Sequence, residues 1–281
     1  MILQHTVWYD WHSILFIDIR AAEIIIMKGD SKSMIDVKGK WALITGAARG
    51  IGYLTARFMA KQGCNLILHS RSLDHTEKVL REVKDEGVSA YAVAADLNDL
   101  AVVERMLAEI DGFGVPVDIV LNNAGLQIAY RTDYLKTPAE DYLVSFNVNT
   151  IAPMMICYHF LPKMIERGFG RILNTTSGIR LEPEQAGYSA SKAALDKVTI
   201  DLGKTVQGTD VMINLTDPGW CRTDLGGPGA PNAPESAIPG IVVGVFVNDG
   251  KSGRFLGAQN FVGMSLEEAV EKAEREFDSP Y

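Results

Sequence analysis

The sequence predicts an α/β fold, a doubly wound parallel sheet in a single domain, and three observations carry that prediction. From Lys40 onward short apolar runs alternate with helical patterns, which is what successive βαβ units produce. The runs are rich in Val, Ile, Leu and Ala and do not alternate apolar with polar, as strands covered on both faces require. The first run leads directly into glycines that open a helix.

Taken in order, the predicted strands are Trp41 to Thr45, Asn65 to His69, Ala90 to Ala95, Val117 to Asn122, Arg171 to Thr175 and Val211 to Leu215. Between them, 3.6-residue periodicity places helices at Gly52 to Gln62, Leu73 to Glu86, Asp99 to Ile110, Ala139 to Arg167 and Ser189 to Val206. The fourth helix carries Ile151, Met154, Met155, Ile156, Phe160, Leu161, Met164 and Ile165 around much of its circumference. Such a helix needs a second apolar partner besides its own sheet, so a homodimer or homotetramer is expected. Pro153 and Pro162 are expected to kink it. Glycines and prolines crowd the stretch from Pro218 to Gly240, which reads as a long loop of the kind that lids a site.

The domain is expected to span residues 34–264, followed by an acidic C-terminal tail, 265–281, with a short amphipathic helical pattern from Ser265 to Phe277. Residues 1–33 read as an extension with no evident place in the sheet. A start at Met34 is the preferred reading, because Met34 to Lys40 is a natural entry to the first strand and Lys28-Gly29-Asp30 can be encoded by a purine run. The apolar stretch from Ser13 to Met27 is broken by Asp18, Arg20 and Glu23 and lacks the flanks of a secretory signal. No membrane association and a cytoplasmic location are therefore expected.

The 27 Lys and Arg against 35 Asp and Glu give a net charge of -8, which offers no basis for nucleic-acid binding. Cys64, Cys157 and Cys221 are odd in number and far apart, which suits buried thiols in a reducing compartment better than a disulfide framework. The five histidines are dispersed, so no metal is expected.

The chemistry begins at Thr45-Gly46-Ala47-Ala48-Arg49-Gly50-Ile51-Gly52. Gly46 permits a tight turn, Gly50 lets the backbone approach a phosphate, and Gly52 permits close helix packing. The helix N-terminus beyond them offers free N–H groups and a positive dipole to a pyrophosphate. Tyr188 and Lys192 stand four apart on a predicted helix and project from one face. An ammonium there is expected to lower the phenol from its ordinary pKa of about 10 toward the working range for proton exchange.

The G-x3-G-x-G spacing, Asn122-Asn123-Ala124-Gly125 and Tyr188-Ser189-Ala190-Ser191-Lys192 together resemble the short-chain dehydrogenase/reductase family of the classical type, over about Val37 to Gly257. The lid sequence from Pro218 to Gly227 is similar to that of its carbonyl reductase-like members. The resemblance implies a Rossmann fold and hydride transfer between a nicotinamide coenzyme and a small ketone, aldehyde or secondary alcohol. Tyr188 would be the acid/base and Lys192 would also bond the nicotinamide ribose. Ser177 would orient the substrate oxygen, with Thr175 the alternative, and Asn149 would hold a water, with Asn147 the runner-up. Ser177 is preferred because the strand register fixes it, which shortens the following loop by two residues.

The resemblance also implies coenzyme contacts at Gly46, Arg49, Gly50, Ile51, Gly52, Ser70, Arg71, Asp96, Leu97, Asn123, Ala124, Gly125, Tyr188, Lys192, Pro218, Gly219 and Thr223. NAD(H)-dependent members carry an acid after the second strand, where this chain has Ser70-Arg71. Two guanidinium groups, Arg49 and Arg71, suit a 2′-phosphate, so NADP(H) is expected over NAD(H). A catalytically silent NADP-binding sensor or scaffold is the competing reading, against which the intact Tyr188 and Lys192 pair argues.

Overall fold

The computed structural model describes residues 34–281, and the reading of residues 1–33 lies outside them. Seven parallel strands form one sheet: β1 (Trp41–Ile44), β2 (Asn65–Ser70), β3 (Ala90–Ala94), β4 (Ile119–Asn122), β5 (Gly170–Thr175), β6 (Val211–Asp217) and β7 (Phe255–Gly257). They lie in the order β3-β2-β1-β4-β5-β6-β7. The strand order reverses between β1 and β4, and the crevice at their C-terminal ends is where doubly wound sheets bind ligands.

The helices are α1 (Gly50–Lys61), α2 (Glu77–Asp85), α3 (Leu100–Gly112), α4 (Ala139–Phe146), α5 (Ala152–Arg167), α6 (Ala186–Thr205), α7 (Val243–Phe246) and α8 (Leu266–Glu276). One core packs Met59 of α1, Val79 of α2, Phe246 of α7 and Ala269 of α8 against one face of the sheet. The other packs Val103 of α3, Ile156 and Phe160 of α5 and Leu195 of α6 against the opposite face. Asp99 caps α3 by accepting the amides of Ala101 and Val102. Ser265 and Glu268 form a reciprocal capping box on α8, whose Leu266, Val270 and Ala273 are buried.

Three sequence expectations are corrected here. The long helix from Ala139 to Arg167 is interrupted by a π turn at Asn147–Ile151, within which the Asn149 side chain bonds both the amide and the carbonyl of Leu126. Pro153 falls in the first turn of α5, where its missing N–H costs nothing, whereas Pro162 lies inside the helix. The segment from Leu73 enters α2 through a 3₁₀ turn. The sequence reading also omitted β7, three residues long.

On α5, Met154, Ile156, Phe160, Leu161 and Met164 are buried within the chain itself, whereas Tyr158 and Ile165, with Ile151 at the end of the π turn, are exposed. All three cysteines are buried and free; burial pushes the Cys64 and Cys157 thiols up to about 12, which keeps them protonated. Among the described residues no helix is long and apolar enough to cross a membrane, and none group as a metal-binding cluster.

Candidate active site

At the end of β1 the chain turns through Gly46, at φ +66°, and enters α1. A Cβ on Gly52 would stand 2.2 Å from the Gly46 carbonyl oxygen, so only glycine lets the helix pack this close to the turn. Asn123 Nδ2 donates to the carbonyl of Thr45 at 3.0 Å and the Ala124 amide donates to Thr45 Oγ1 at 3.0 Å, which ties the end of β4 to the turn. His69 supports it from β2: Nδ1 accepts the Gly46 amide at 3.3 Å, while Nε2 donates to the Ala95 carbonyl at 3.0 Å. Burial lowers His69 to about 4, keeping it neutral and able to accept.

No side chain caps the start of α1, so its first amides and its dipole are available to an anion. The glycine cradle and the open helix start fit the pyrophosphate of a dinucleotide. Ser70 is buried at the end of β2, where no carboxylate stands, and Arg71 is exposed beside it. Arg49 is exposed and pairs with Asp224 of the Pro218 to Gly240 loop at 2.6 Å. Leu97 is buried in the core, and Asp96 accepts the amide of Asn98 at 2.9 Å.

The loop after β6 leans over this turn. Thr223 Cγ2 lies 3.3 Å from the place a Cβ on Gly50 would take. The loop is internally bonded: Arg222 reaches the carbonyls of Ala230 and Pro231, and the Trp220 indole donates to Gly226. Gly219 donates to Asp217 Oδ1 at 2.8 Å, and the Pro218 carbonyl accepts from Gln259 at 2.7 Å.

Tyr188 and Lys192 lie in the first turns of α6, both buried. Ser177 Oγ accepts the Ile179 amide at 3.3 Å, and its hydroxyl favours the ionised form of the Tyr188 phenol. Thr175 takes part through its backbone, its carbonyl accepting from Lys192 Nζ at 2.7 Å. Lys192 Nζ stands 5.9 Å from the centroid of the Tyr188 ring. Asn149 donates to the Leu126 carbonyl at 2.8 Å and to Ser191 Oγ at 3.0 Å, and accepts the Leu126 amide at 2.8 Å. Asn149 Oδ1 and Lys192 Nζ fall 3.6 and 3.7 Å from the position of a Cβ on Gly125, so both converge on that residue. Asn147 points elsewhere, to Asn98.

The expected lowering of the phenol is not what the site shows. Burial raises Tyr188 above its usual value, the Ser177 hydroxyl lowers it and Asp217 raises it further. The Lys192 ammonium is instead committed to the Thr175 carbonyl. Desolvation lowers Lys192 itself to about 8, against the opposing pull of Asp196 and Asp217. Burial raises the Asp196 carboxyl, with Thr176 and Lys192 lowering it and Asp217 adding to the rise.

Thr45, His69, Asp196 and Asp217 were missed as site residues. Asp196 had a readable signal, since it follows Lys192 by four residues on the same helix.

A sequence profile described as short chain dehydrogenase matches residues 40–232, more than half of the chain. The chain belongs to the short-chain dehydrogenase/reductase family. It is of the classical type, an oxidoreductase family that uses nicotinamide coenzymes. It is 34% identical over 207 residues to the oxidoreductase UcpA of Salmonella typhimurium, covering 71% of this chain and 78% of that one. It is 32% identical over 189 residues to the ketoacyl reductase HetN of Nostoc sp., covering 66% of this chain and just under two thirds, 65%, of HetN. Among solved structures, a gluconate 5-dehydrogenase from Burkholderia cenocepacia in complex with NADP and tartrate superposes with a TM-score of 0.61 at 29% identity, covering 67% of this chain and 74% of that one. A metagenomic short-chain oxidoreductase in complex with NADP gives 0.61 at 28% identity, with 67% and 86% covered.

Proposed function

We propose that this short-chain dehydrogenase/reductase passes hydride between NADP(H) and a small ketone or aldehyde, or the corresponding alcohol, with Tyr188 as the acid in reduction and the base in oxidation. The observation that carries the reading is the pair of buried residues Tyr188 and Lys192 on α6, with Lys192 Nζ 5.9 Å from the phenol ring and held by the Thr175 carbonyl, two residues before Ser177. The Ser177 and Tyr188 hydroxyls would both meet one substrate oxygen and polarise it. Tyr188 then delivers the proton that the oxygen needs as it gains negative charge, and Ser177 orients it. Lys192 holds a positive charge beside the phenol, and Asn149 fixes the helix break behind it. When bound, the nicotinamide supplies or accepts the hydride.

NADP(H) is preferred over NAD(H) on this reading, because Ser70 and Arg71 stand at the end of β2 without an acid and Arg49 lies in the glycine turn. The Burkholderia gluconate 5-dehydrogenase and the metagenomic relative, both solved with NADP, support it. Gly46, Gly50, Ile51 and Gly52 would receive the pyrophosphate, Asp96 and Leu97 the adenine, and Pro218, Gly219 and Thr223 the nicotinamide. We also propose a cytoplasmic homodimer or homotetramer that covers the exposed Ile151 of the π turn and Tyr158 and Ile165 of α5.

The test is a panel of ketones, aldehydes and secondary alcohols followed by NADPH absorbance, with NADH in parallel. The expected result is turnover of at least one neutral carbonyl compound and NADPH binding about tenfold tighter than NADH, about 1.4 kcal/mol. Coenzyme binding without turnover of any compound would favour the silent sensor. Equal dissociation constants would overturn the coenzyme assignment.

A further inference from the structure

We propose that Asp217 is a positioning residue that sets the gap between the two loops of the site and keeps a negative charge beside the Tyr188 and Lys192 pair. The inference rests on the oxidoreductase reading above. The register of β5 with β6 ends at Thr175 and Thr216, and the final backbone rung is the Thr176 amide donating to the Thr216 carbonyl at 2.8 Å. Beyond it the strands part. The carboxylate of Asp217 then supplies what the backbone no longer can: Oδ2 accepts the Gly178 amide at 2.8 Å and Oδ1 accepts the Gly219 amide at 2.8 Å.

Gly178 adjoins Ser177, and Gly219 adjoins Pro218, so one side chain joins the loop that would orient the substrate oxygen to the loop that would flank the nicotinamide. The bond to Gly219 alone is an ordinary local turn contact two residues away. The bond to Gly178, 39 residues away, has no such local explanation. A carboxylate is suited to this place because it offers two acceptors and no donor; an amide would turn its NH2 toward one of the two backbone N–H groups.

The charge matters as well. The groups on which the Asp217 carboxylate acts through space are Tyr188, Lys192 and Asp196 on α6 and Cys221 on the loop after β6. Its negative charge favours the protonated form of both the phenol and the ammonium. The site is thereby biased toward a proton-loaded state, the state needed to reduce a carbonyl. Oxidation of an alcohol needs the phenolate, so its rate is expected to rise with pH as Tyr188 ionises.

The experiment compares wild type with Asp217→Asn and Asp217→Ala in two readouts. In alcohol oxidation, both variants remove the same charge, so the alkaline limb of kcat is expected to move to lower pH by about half a unit or more in each. In hydrogen exchange, peptides spanning Ser177 to Ile179 are expected to be protected in wild type, partly released in Asp217→Asn and released in Asp217→Ala. A merely structural residue would lower kcat without moving the limb. Turnover in wild type with an unmoved limb in both variants overturns the charge role while the oxidoreductase reading survives. If wild type turns over nothing, that reading fails instead, and exchange alone decides the bridge: an unprotected Gly178 amide in wild type overturns it, whether or not the variants fold.

Discussion

The two edges of the sheet each bury positive charge, and they do it differently. At the N-terminal edge, Arg171 and Arg254 are fully buried at the entrances to β5 and β7 and make ion pairs with Asp210 at 2.8 Å and Asp249 at 2.7 Å. At the C-terminal edge, Lys192 is just as deeply buried but makes no ion pair among the described residues; its Nζ donates to a carbonyl, with Asp196 and Asp217 acting from farther away. A guanidinium stays charged under almost any conditions, so burial must be matched by contact. An ammonium held only by a dipole and distant carboxylates has its pKa brought down to about 8, within reach of proton chemistry. Burial with a contact partner serves the fold, and burial without one leaves a group free to titrate.

The largest effect that could break this comparison is expected at the N-terminal edge. Arg254 has one carboxylate partner in contact, and its Nε and Nη2 are buried without hydrogen bonds. Asp249→Asn therefore strands a buried cation and should cost about 3 kcal/mol of stability in denaturant unfolding. A loss below about 1 kcal/mol would mean that the pair is not what holds Arg254 inside.

Lys192→Met is expected to have the opposite sign. Between pH 8 and 10.5 the unfolded chain keeps a proton on Lys192 that the folded chain has released, so stability rises with pH across that window, and below it the charged lysine costs stability in full. The drop from 10.5 to about 8 corresponds to about 3 kcal/mol, offset by about 1 kcal/mol for the lost hydrogen bond to Thr175. The coenzyme-free variant should thus be about 2 kcal/mol more stable at pH 7, and its unfolding free energy should lack the rise between pH 8 and 10.5. Denaturant unfolding at pH 7 and pH 9.5 checks both parts.

A smaller effect sharpens the same contrast at the rim. Arg71→Ser should weaken NADPH binding by about tenfold, about 1.4 kcal/mol, and leave NADH within about twofold. Fluorescence titration with each coenzyme measures this, and equal losses for the two would remove Arg71 from the 2′-phosphate site.

Much of the sheet was legible because buried parallel strands announce themselves as apolar runs: β1 through β6 fall where Trp41, Asn65, Ala90, Val117, Arg171 and Val211 led the sequence reading. The glycine turn, Tyr188 and Lys192 were legible because their spacing is local. What escaped depends on distant partners. Asn149 at the helix break bonds Leu126, 23 residues away, which offers both an amide and a carbonyl to its side chain. Arg171 and Arg254 look like surface charges until Asp210 and Asp249 are placed beside them, and β7 is too short to carry a pattern. The role of Asp217 lies in a bond to Gly178 that no sequence interval records. The direction of the Tyr188 shift was missed for the same reason, since burial outweighs a neighbouring ammonium that is occupied elsewhere.

The account stands or falls on Tyr188 as the proton donor, and Tyr188→Phe tests it most directly, because it removes one hydroxyl and leaves the coenzyme cradle untouched. With the best carbonyl substrate from the panel, the variant should bind NADPH within about threefold of wild type while kcat falls by about a hundredfold or more. Retention of more than about a tenth of the wild-type rate, a barrier change below about 1.4 kcal/mol, would contradict the assignment.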